Sequence, residues 1–336
     1  MQANMHANLH AFSQSNSKSG PNGQDEPDKY DFIGSGVYHS GLAQTALAIG
    51  VDTYSIFADA KCETTALEAE GFGEITHVYD CKIVDETIKD DVKVREQHIM
   101  QEHLGTTRAV IAVKPHKGLH IVAIAFNGTN YTEDWMINLQ LAKKDLKHEG
   151  FDKNTRDFAK VDNDIYFESL GKSLRQVCCE SRQSGKYRFF LSGHSLGAAV
   201  LQLYVAEFMM GKYGVKKEHI CGYAFASPCP VDKDYYEKPE VFPVFNILST
   251  DDPVIRAGSL NSILTGRGRH LGKELFYSPD EAFRKKCYFR SGITQGWQLL
   301  RPRPFSAVVN YLLDAHELVA SYKEIVDANL AKEPTK

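Results

Sequence analysis

Short, wholly apolar runs alternate along the chain with stretches in which apolar residues return every three or four positions. Arg108–Val113 and Leu119–Phe126 are apolar runs on either side of Lys117-Gly118, and predict two strands paired across a turn. Strands apolar on both faces belong to a sheet covered on both sides, so the pattern points to helices packed against a sheet, an α/β class. Ser40–Ile49 and Glu63–Gly71 read as short helices. Ile165, Phe167, Leu170, Leu174, Val177 and Cys178 recur at helical spacing and predict a long helix from near Asn163. Tyr187–Ser192 then reads as a buried strand, Gly193–Gly197 as a sharp corner, and Ala198–Met210 as a helix stopped by Gly211. Cys221–Ala226 and Phe242–Leu248 predict two more strands, Lys273–Tyr277 a weaker one, and Ser306–Tyr322 a last helical region. With no internal repeat and no second apolar core, residues 29 to 336 read as one domain. Residues 1 to 28, rich in Asn, Gln, Ser and Gly, read as a disordered polar tail.

The chain has 336 residues, 43% of them hydrophobic and 24% charged, enough to bury a sizeable core. A net charge of -4 leaves no bulk attraction to phosphate backbones, so nucleic acid is not an expected partner. The longest mostly apolar run, Ala198–Met210, is broken by Gln202 and Glu207 and is shorter than the roughly 20 residues that cross a bilayer. The start lacks a basic stretch followed by an apolar one, so neither a Sec-type signal nor a transmembrane segment is expected. The expected location is cytoplasmic, or outside the cell by a non-classical route. The seven cysteines are scattered without a metal-type pair and read as reduced core thiols. Vicinal Cys178 and Cys179 are either a redox pair or small buried residues of a helix. From Pro253 to Arg303 ten basic residues face three acids, a net of +7. Such a segment either draws the protein to an anionic bilayer or forms a solvated face balanced by acids from elsewhere.

Gly193-His194-Ser195-Leu196-Gly197 occupies the strand-to-helix corner. A serine in a strained turn there holds its hydroxyl clear of the sheet, and glycines two positions away are required where larger side chains would collide. The alternative is an ordinary helix N-cap serine. A nucleophilic serine needs a base and an acid, in this kind of fold ordered serine, acid, histidine. Of 13 histidines only His219, His270 and His316 follow Ser195. The acid is expected after the Phe242–Leu248 strand, where Ser249-Thr250-Asp251-Asp252-Pro253-Val254 offers two adjacent carboxylates. His219 precedes that strand. His270 precedes the Lys273–Tyr277 strand and His316 follows it, which favours His316. The negative oxygen of a tetrahedral intermediate would be held by the N–H of Leu196 and a backbone donor after an early strand. Phe126-Asn127-Gly128-Thr129 supplies such a turn, with Thr129 as the donor.

These motifs, with Asp134-Trp135, Phe225-Ala226-Ser227-Pro228, Arg269-His270-Leu271-Gly272 and the late His316 and Tyr322, resemble the ordered motif series of the class 3 (fungal-type) lipases, from about residue 108 to 322. The resemblance implies an α/β-hydrolase-type fold with a central, mostly parallel sheet flanked by helices. It implies hydrolysis of lipid acyl esters without metal or cofactor, by a triad of Ser195, Asp252 and His316 with Thr129 and Leu196 as the oxyanion hole. The sequence departs from the family at Asn127, where arginine is usual, at Cys229 after the Ser-Pro pair, and in a longer, more basic Ser278–Pro304. These departures leave the substrate open among acylglycerols, phospholipids of a phospholipase A type, and short-chain esters. A reading of another class is a catalytically silent lipase-like module binding lipid or protein; it would require a missing triad position, and none is missing. Tyr131, Trp135, Met136, Ile137, Leu139 and Leu141 form an apolar cluster that reads as a lid or as core. The expected partner is a lipid substrate at an interface, with peripheral membrane contact and no obligate protein partner.

Overall fold

The computed structural model describes residues 28–58, 65–79, 82–84, 109–128, 165–210, 213–231, 238–249, 252, 255, 269–277, 288–290, 322–323 and 326. Among these, eleven strands are formed: β1 (Gly73–Tyr79), β2 (Lys82–Val84), β3 (Ala109–His116), β4 (Leu119–Phe126), β5 (Tyr166–Phe167), β6 (Lys172–Ser173), β7 (Tyr187–His194), β8 (Ile220–Phe225), β9 (Val244–Ser249), β10 (Lys273–Tyr277) and β11 (Tyr288–Arg290). Four α-helices accompany them: α1 (Ser40–Ala58), α2 (Thr65–Ala69), α3 (Leu174–Ser184) and α4 (Leu196–Met210). No helix among the described residues is long and apolar enough to cross a membrane. The polar tail, the apolar cluster with Tyr131, Trp135, Met136 and Ile137, most of the basic segment and nearly all of Ser306–Tyr322 lie outside the described residues.

One sheet runs in the order β11-β10-β9-β8-β7-β4-β3-β1-β2. Its middle is parallel, β4 to β7, β7 to β8, β8 to β9 and β9 to β10. The edges are antiparallel, with β3 and β4 joined through Lys117 and Gly118, both at positive φ. The architecture is the expected α/β one, a central, mostly parallel sheet with helices on both faces. Alternate residues of β3 and β4 separate its two cores. Ile111, Val122, Ile124 and Phe126 pack with Leu174 and Val177 of α3 and Leu201 and Val205 of α4. Val110, Ala112, Ile121 and Ala123 pack on the opposite face with Leu42, Ala46 and Ile49 of α1 and with Tyr322.

Parallel strands bring their carboxyl ends to one edge, where a ligand site forms in folds of this kind. Phe126 lies opposite Gly193, His194 opposite Phe225, and Phe225 opposite Ile247. The turns after β4, β7, β8 and β9 are therefore neighbours.

Three expectations need correction. The helix expected from near Asn163 begins only at Leu174. Tyr166–Phe167 and Lys172–Ser173 instead form a small hairpin, turning at Gly171 with φ 62°. Ser173 then starts α3 with a capping box, accepting from the Gln176 N–H while the Gln176 side chain accepts from Ser173 N–H. Ile165 and Phe167 face the core at strand spacing, which mimics the helical register of Leu174 and Val177. α1 runs nine residues beyond the expected Ile49, because Gly50 is accommodated within it and Val51 and Thr53 are buried. The edge strands β1, β2 and β11 carry no strong alternating pattern and were not expected. Cys178, Cys179, Cys221 and Cys229 are free thiols, and Cys178 is buried on α3, as a small core residue would be.

At the end of the sheet away from those turns, Lys29 Nζ donates to Glu70 Oε1 at 2.5 Å and to Thr45 Oγ1 at 2.7 Å, and Tyr30 O–H donates to Glu70 Oε2 at 2.7 Å. Lys114 Nζ lies 3.5 Å from the Tyr30 ring centroid and donates to the Glu70 carbonyl at 2.8 Å. Burial lowers the Lys114 ammonium from 10.5 to about 8, only partly opposed by the Glu70 charge. The folded state thus loses its proton before the unfolded chain does, so the cost of burying the cation is present below about pH 8 and disappears as pH rises toward 10.5. Urea midpoints of the wild type should accordingly climb between pH 8 and 10 relative to Lys114→Met, which keeps an unbranched stem without the charge. Parallel curves for the two proteins would show that Lys114 does not carry this linkage.

Candidate active site

Ser195 stands between the last residue of β7 and the first of α4, with φ 55°. That conformation is costly for a residue with a side chain and is maintained only where the surroundings enforce it. The surroundings are backbone. A Cβ on Gly193 would lie 2.5 Å from the Gly197 carbonyl oxygen, and one on Gly197 would lie 2.4 Å from that of Phe126. Ser195 N–H donates to the Phe225 carbonyl at 2.9 Å, while its own carbonyl accepts from Ala198 and Ala199 N–H. An ordinary N-cap has extended backbone, so the positive φ rules out that reading. The axis of α4 brings the positive end of its dipole to the serine.

The turn after β4 passes directly over this corner. A Cβ on Gly128 would lie 3.2 Å from Ser195 Cβ and 2.8 Å from the His194 carbonyl oxygen. Leu196 opens α4, where the first N–H groups have no intrahelical acceptor. Thr129, the expected second donor, lies outside the described residues.

After β9 the chain turns back, Asp252 N–H donating to the Ser249 carbonyl at 3.2 Å. Asp252 is fully buried, and its Oδ2 accepts from Tyr322 O–H at 2.6 Å. Ser249 N–H donates to the same phenol at 3.3 Å. Burial, and then the Asp252 charge, push the Tyr322 phenol well above its ordinary range, so it remains a donor to the carboxylate. The Tyr322 ring meets His194 and Phe225 edge-on at 6.2 and 6.3 Å between centroids, and so brings the Asp252 clamp beside the serine turn. Asp251 and His316 lie outside the described residues.

His270 is placed differently. Its Nε2 is 2.9 Å from the Ser227 carbonyl and its Nδ1 is 2.8 Å from Glu274 Oε1. Burial alone would lower its pKa, but Cys229 and the Glu274 carboxylate beside it raise it well above the ordinary value. An imidazolium donating from both nitrogens has no lone pair to accept a proton. It serves as a strut between the turn after β8 and the start of β10. Gln202 extends this polar seam: its Nε2 donates to Ser227 Oγ at 2.6 Å, its Oε1 accepts from Leu271 N–H at 2.6 Å, and Asn246 Nδ2 donates to the Leu271 carbonyl at 2.7 Å. Sequence reasoning missed this seam; a glutamine amid the apolar residues of α4 is the signal that could have found it. Tyr54, whose phenol oxygen lies 2.7 Å from His194 Nδ1, had no such signal.

Residues 123–261 match the family model described as Lipase (class 3). Over that stretch the chain is similar to the class 3 lipases. The stretch takes in most of β4, the serine turn, α4, β8, β9 and Asp252. No curated protein matches the chain. Among solved structures, a fungal lipase is 20% identical, over 76% of this chain and 88% of its own, with a TM-score of 0.45. A fungal lipase bound to an inhibitor is 14% identical, over 82% and 94%, with a TM-score of 0.47. The triacylglyceride lipase of Rhizomucor miehei is 15% identical, over 74% and 84%, with a TM-score of 0.45. The lipase match and the serine turn meet on the same residues.

Tyr322→Phe should destabilise the protein by about 1–3 kcal/mol, since a buried carboxylate and a buried N–H each lose a partner. Urea denaturation measures it. A change below about 0.5 kcal/mol, the scale of an ordinary surface substitution, would mean the phenol contributes no clamp.

Proposed function

We propose that the chain is a serine carboxylic-ester hydrolase acting on lipid acyl esters, an acylglycerol lipase in type. The observation that carries this reading is Ser195 at φ 55° under the Gly128 turn, within a sequence stretch of class 3 lipase kind. His316 removes the hydroxyl proton as Ser195 Oγ attacks the ester carbonyl, and the carbonyl electron pair moves onto oxygen. The N–H groups of Leu196 and Thr129 receive that oxyanion. Preorganised donors of this kind are worth about 3 kcal/mol each in the transition state. Collapse breaks the carbon–oxygen bond and His316 passes its proton to the departing alcohol. Water, deprotonated by His316, then releases the fatty acid and restores the serine. Asp252 orients the imidazole and balances its charge, and the Tyr322 bond fixes the carboxylate for that task.

The choice of His316 is supported by the engagement of both His270 nitrogens with Ser227 and Glu274. The partner in this reading is a lipid surface presenting the ester, which the basic Pro253–Arg303 segment would attract when the lipid is anionic.

Hydrolysis of p-nitrophenyl esters of rising chain length, triacylglycerol and phospholipid by wild type, Ser195→Ala, His316→Ala and His270→Ala tests the proposal. Ser195→Ala and His316→Ala should each lose about 10⁴- to 10⁶-fold in turnover, while His270→Ala should lose far less rate and more stability. Turnover retained in Ser195→Ala would end the serine mechanism, and a larger loss from His270→Ala than from His316→Ala would reassign the base.

A further inference from the structure

We infer that Tyr54 is a positioning residue, whose phenol ties the turn that presents the nucleophile to the turn that presents the oxyanion donor. The inference rests on the assignment of Ser195 as nucleophile. The Tyr54 phenol oxygen is 2.7 Å from His194 Nδ1, and the two rings meet edge-on with centroids 5.7 Å apart. A Cβ on Gly128 would lie only 2.2 Å from the same oxygen, so the glycine is required for the tyrosine to reach in. His194 precedes Ser195 and Gly128 precedes Thr129, so one oxygen atom touches the neighbour of each proposed catalytic group. Burial raises the phenol above its ordinary range, with the Gly128 amide opposing that shift, so the O–H stays protonated and donates to His194.

A tether of this kind works only from a fixed base. α1 supplies one: Ser192 Oγ of β7 donates to the Ala46 carbonyl at 2.6 Å, which fastens the helix to the nucleophile strand. Nearer Tyr54, Thr53 Oγ1 donates to the Gly50 carbonyl at 2.6 Å, and Asp52 Oδ2 accepts from Ala66 and Leu67 N–H at 2.7 and 3.2 Å. The phenol is thus held from behind and fixes the distance between two turns that belong to different strands. Small misplacements of reacting groups lower rate by factors up to about a hundred without altering ground-state binding.

Tyr54→Phe keeps the ring and removes the oxygen. It should lower kcat for p-nitrophenyl butyrate about tenfold to a hundredfold and leave KM within about twofold. Phosphonylation of Ser195 by a p-nitrophenyl alkylphosphonate should slow by a similar factor, because the same donors stabilise that attack. His194→Asn opens the link from its other end and is the second variant, and the double variant should lose no more than the more impaired single one. A wild type that the phosphonate does not label at Ser195 would refute the nucleophile assignment. A wild type that is labelled, with Tyr54→Phe equally fast, or with losses confined to KM, or with additive losses in the double variant, would overturn the role of Tyr54.

Discussion

Backbone packed against backbone at one corner of the sheet is the constraint on which the site depends. The first turn of α4 lies so close to the end of β4 that no side chain fits at Gly197, and β7 enters so close to α4 that none fits at Gly193. Only with both positions bare can the chain reverse within a single residue, and Ser195 takes the left-handed conformation that this reversal demands. The hydroxyl is presented because the fold leaves the residue no lower-energy alternative. The cost of the strained residue is offset by the apolar packing of α4, which buries eleven of its fifteen residues.

Around that corner, the candidate site is assembled from turns that are remote in sequence and adjacent across the sheet. The parallel order of β4, β7, β8 and β9 delivers Gly128, Ser195, Ser227 and Asp252 to one edge. Polar side chains then fix the spacing between turns. Tyr322 holds Asp252, while His270 and Gln202 tie the turn after β8 to the strand beyond β9. His270 is locked between a carboxylate and a carbonyl, and a charged, doubly bonded ring is suited to bracing loops rather than to moving protons.

By its sequence the chain differs from the class 3 pattern it resembles in a longer, more basic segment after Pro253 and in an asparagine at position 127. Asn127 is buried beside Gly128, within the turn after β4.

The α/β class, the positions of β3, β4, β7, β8, β9 and β10, and the serine corner were determined by sequence alone. Those features depend on local apolar runs and on glycines whose need is steric, and both are visible over a few residues. The strand pair before α3 was read as helix because Ile165, Phe167 and Leu174 fit both periods, and only the Gly171 turn and the Ser173 cap decide between them. β1, β2 and β11 were missed because edge strands carry too little apolar pattern to stand out from loops. The choice of Asp252 over Asp251 came from resemblance to a family, whereas its clamp by Tyr322, seventy residues away, exists only once β9 and the last helical residues pack together. The same holds for Tyr54, 140 residues from His194, and for the strut formed by His270 with Ser227, 43 residues away. A hydrogen bond between distant residues leaves no periodic trace in the chain, so these were settled by tertiary structure, where burial forces each polar group to find its partner.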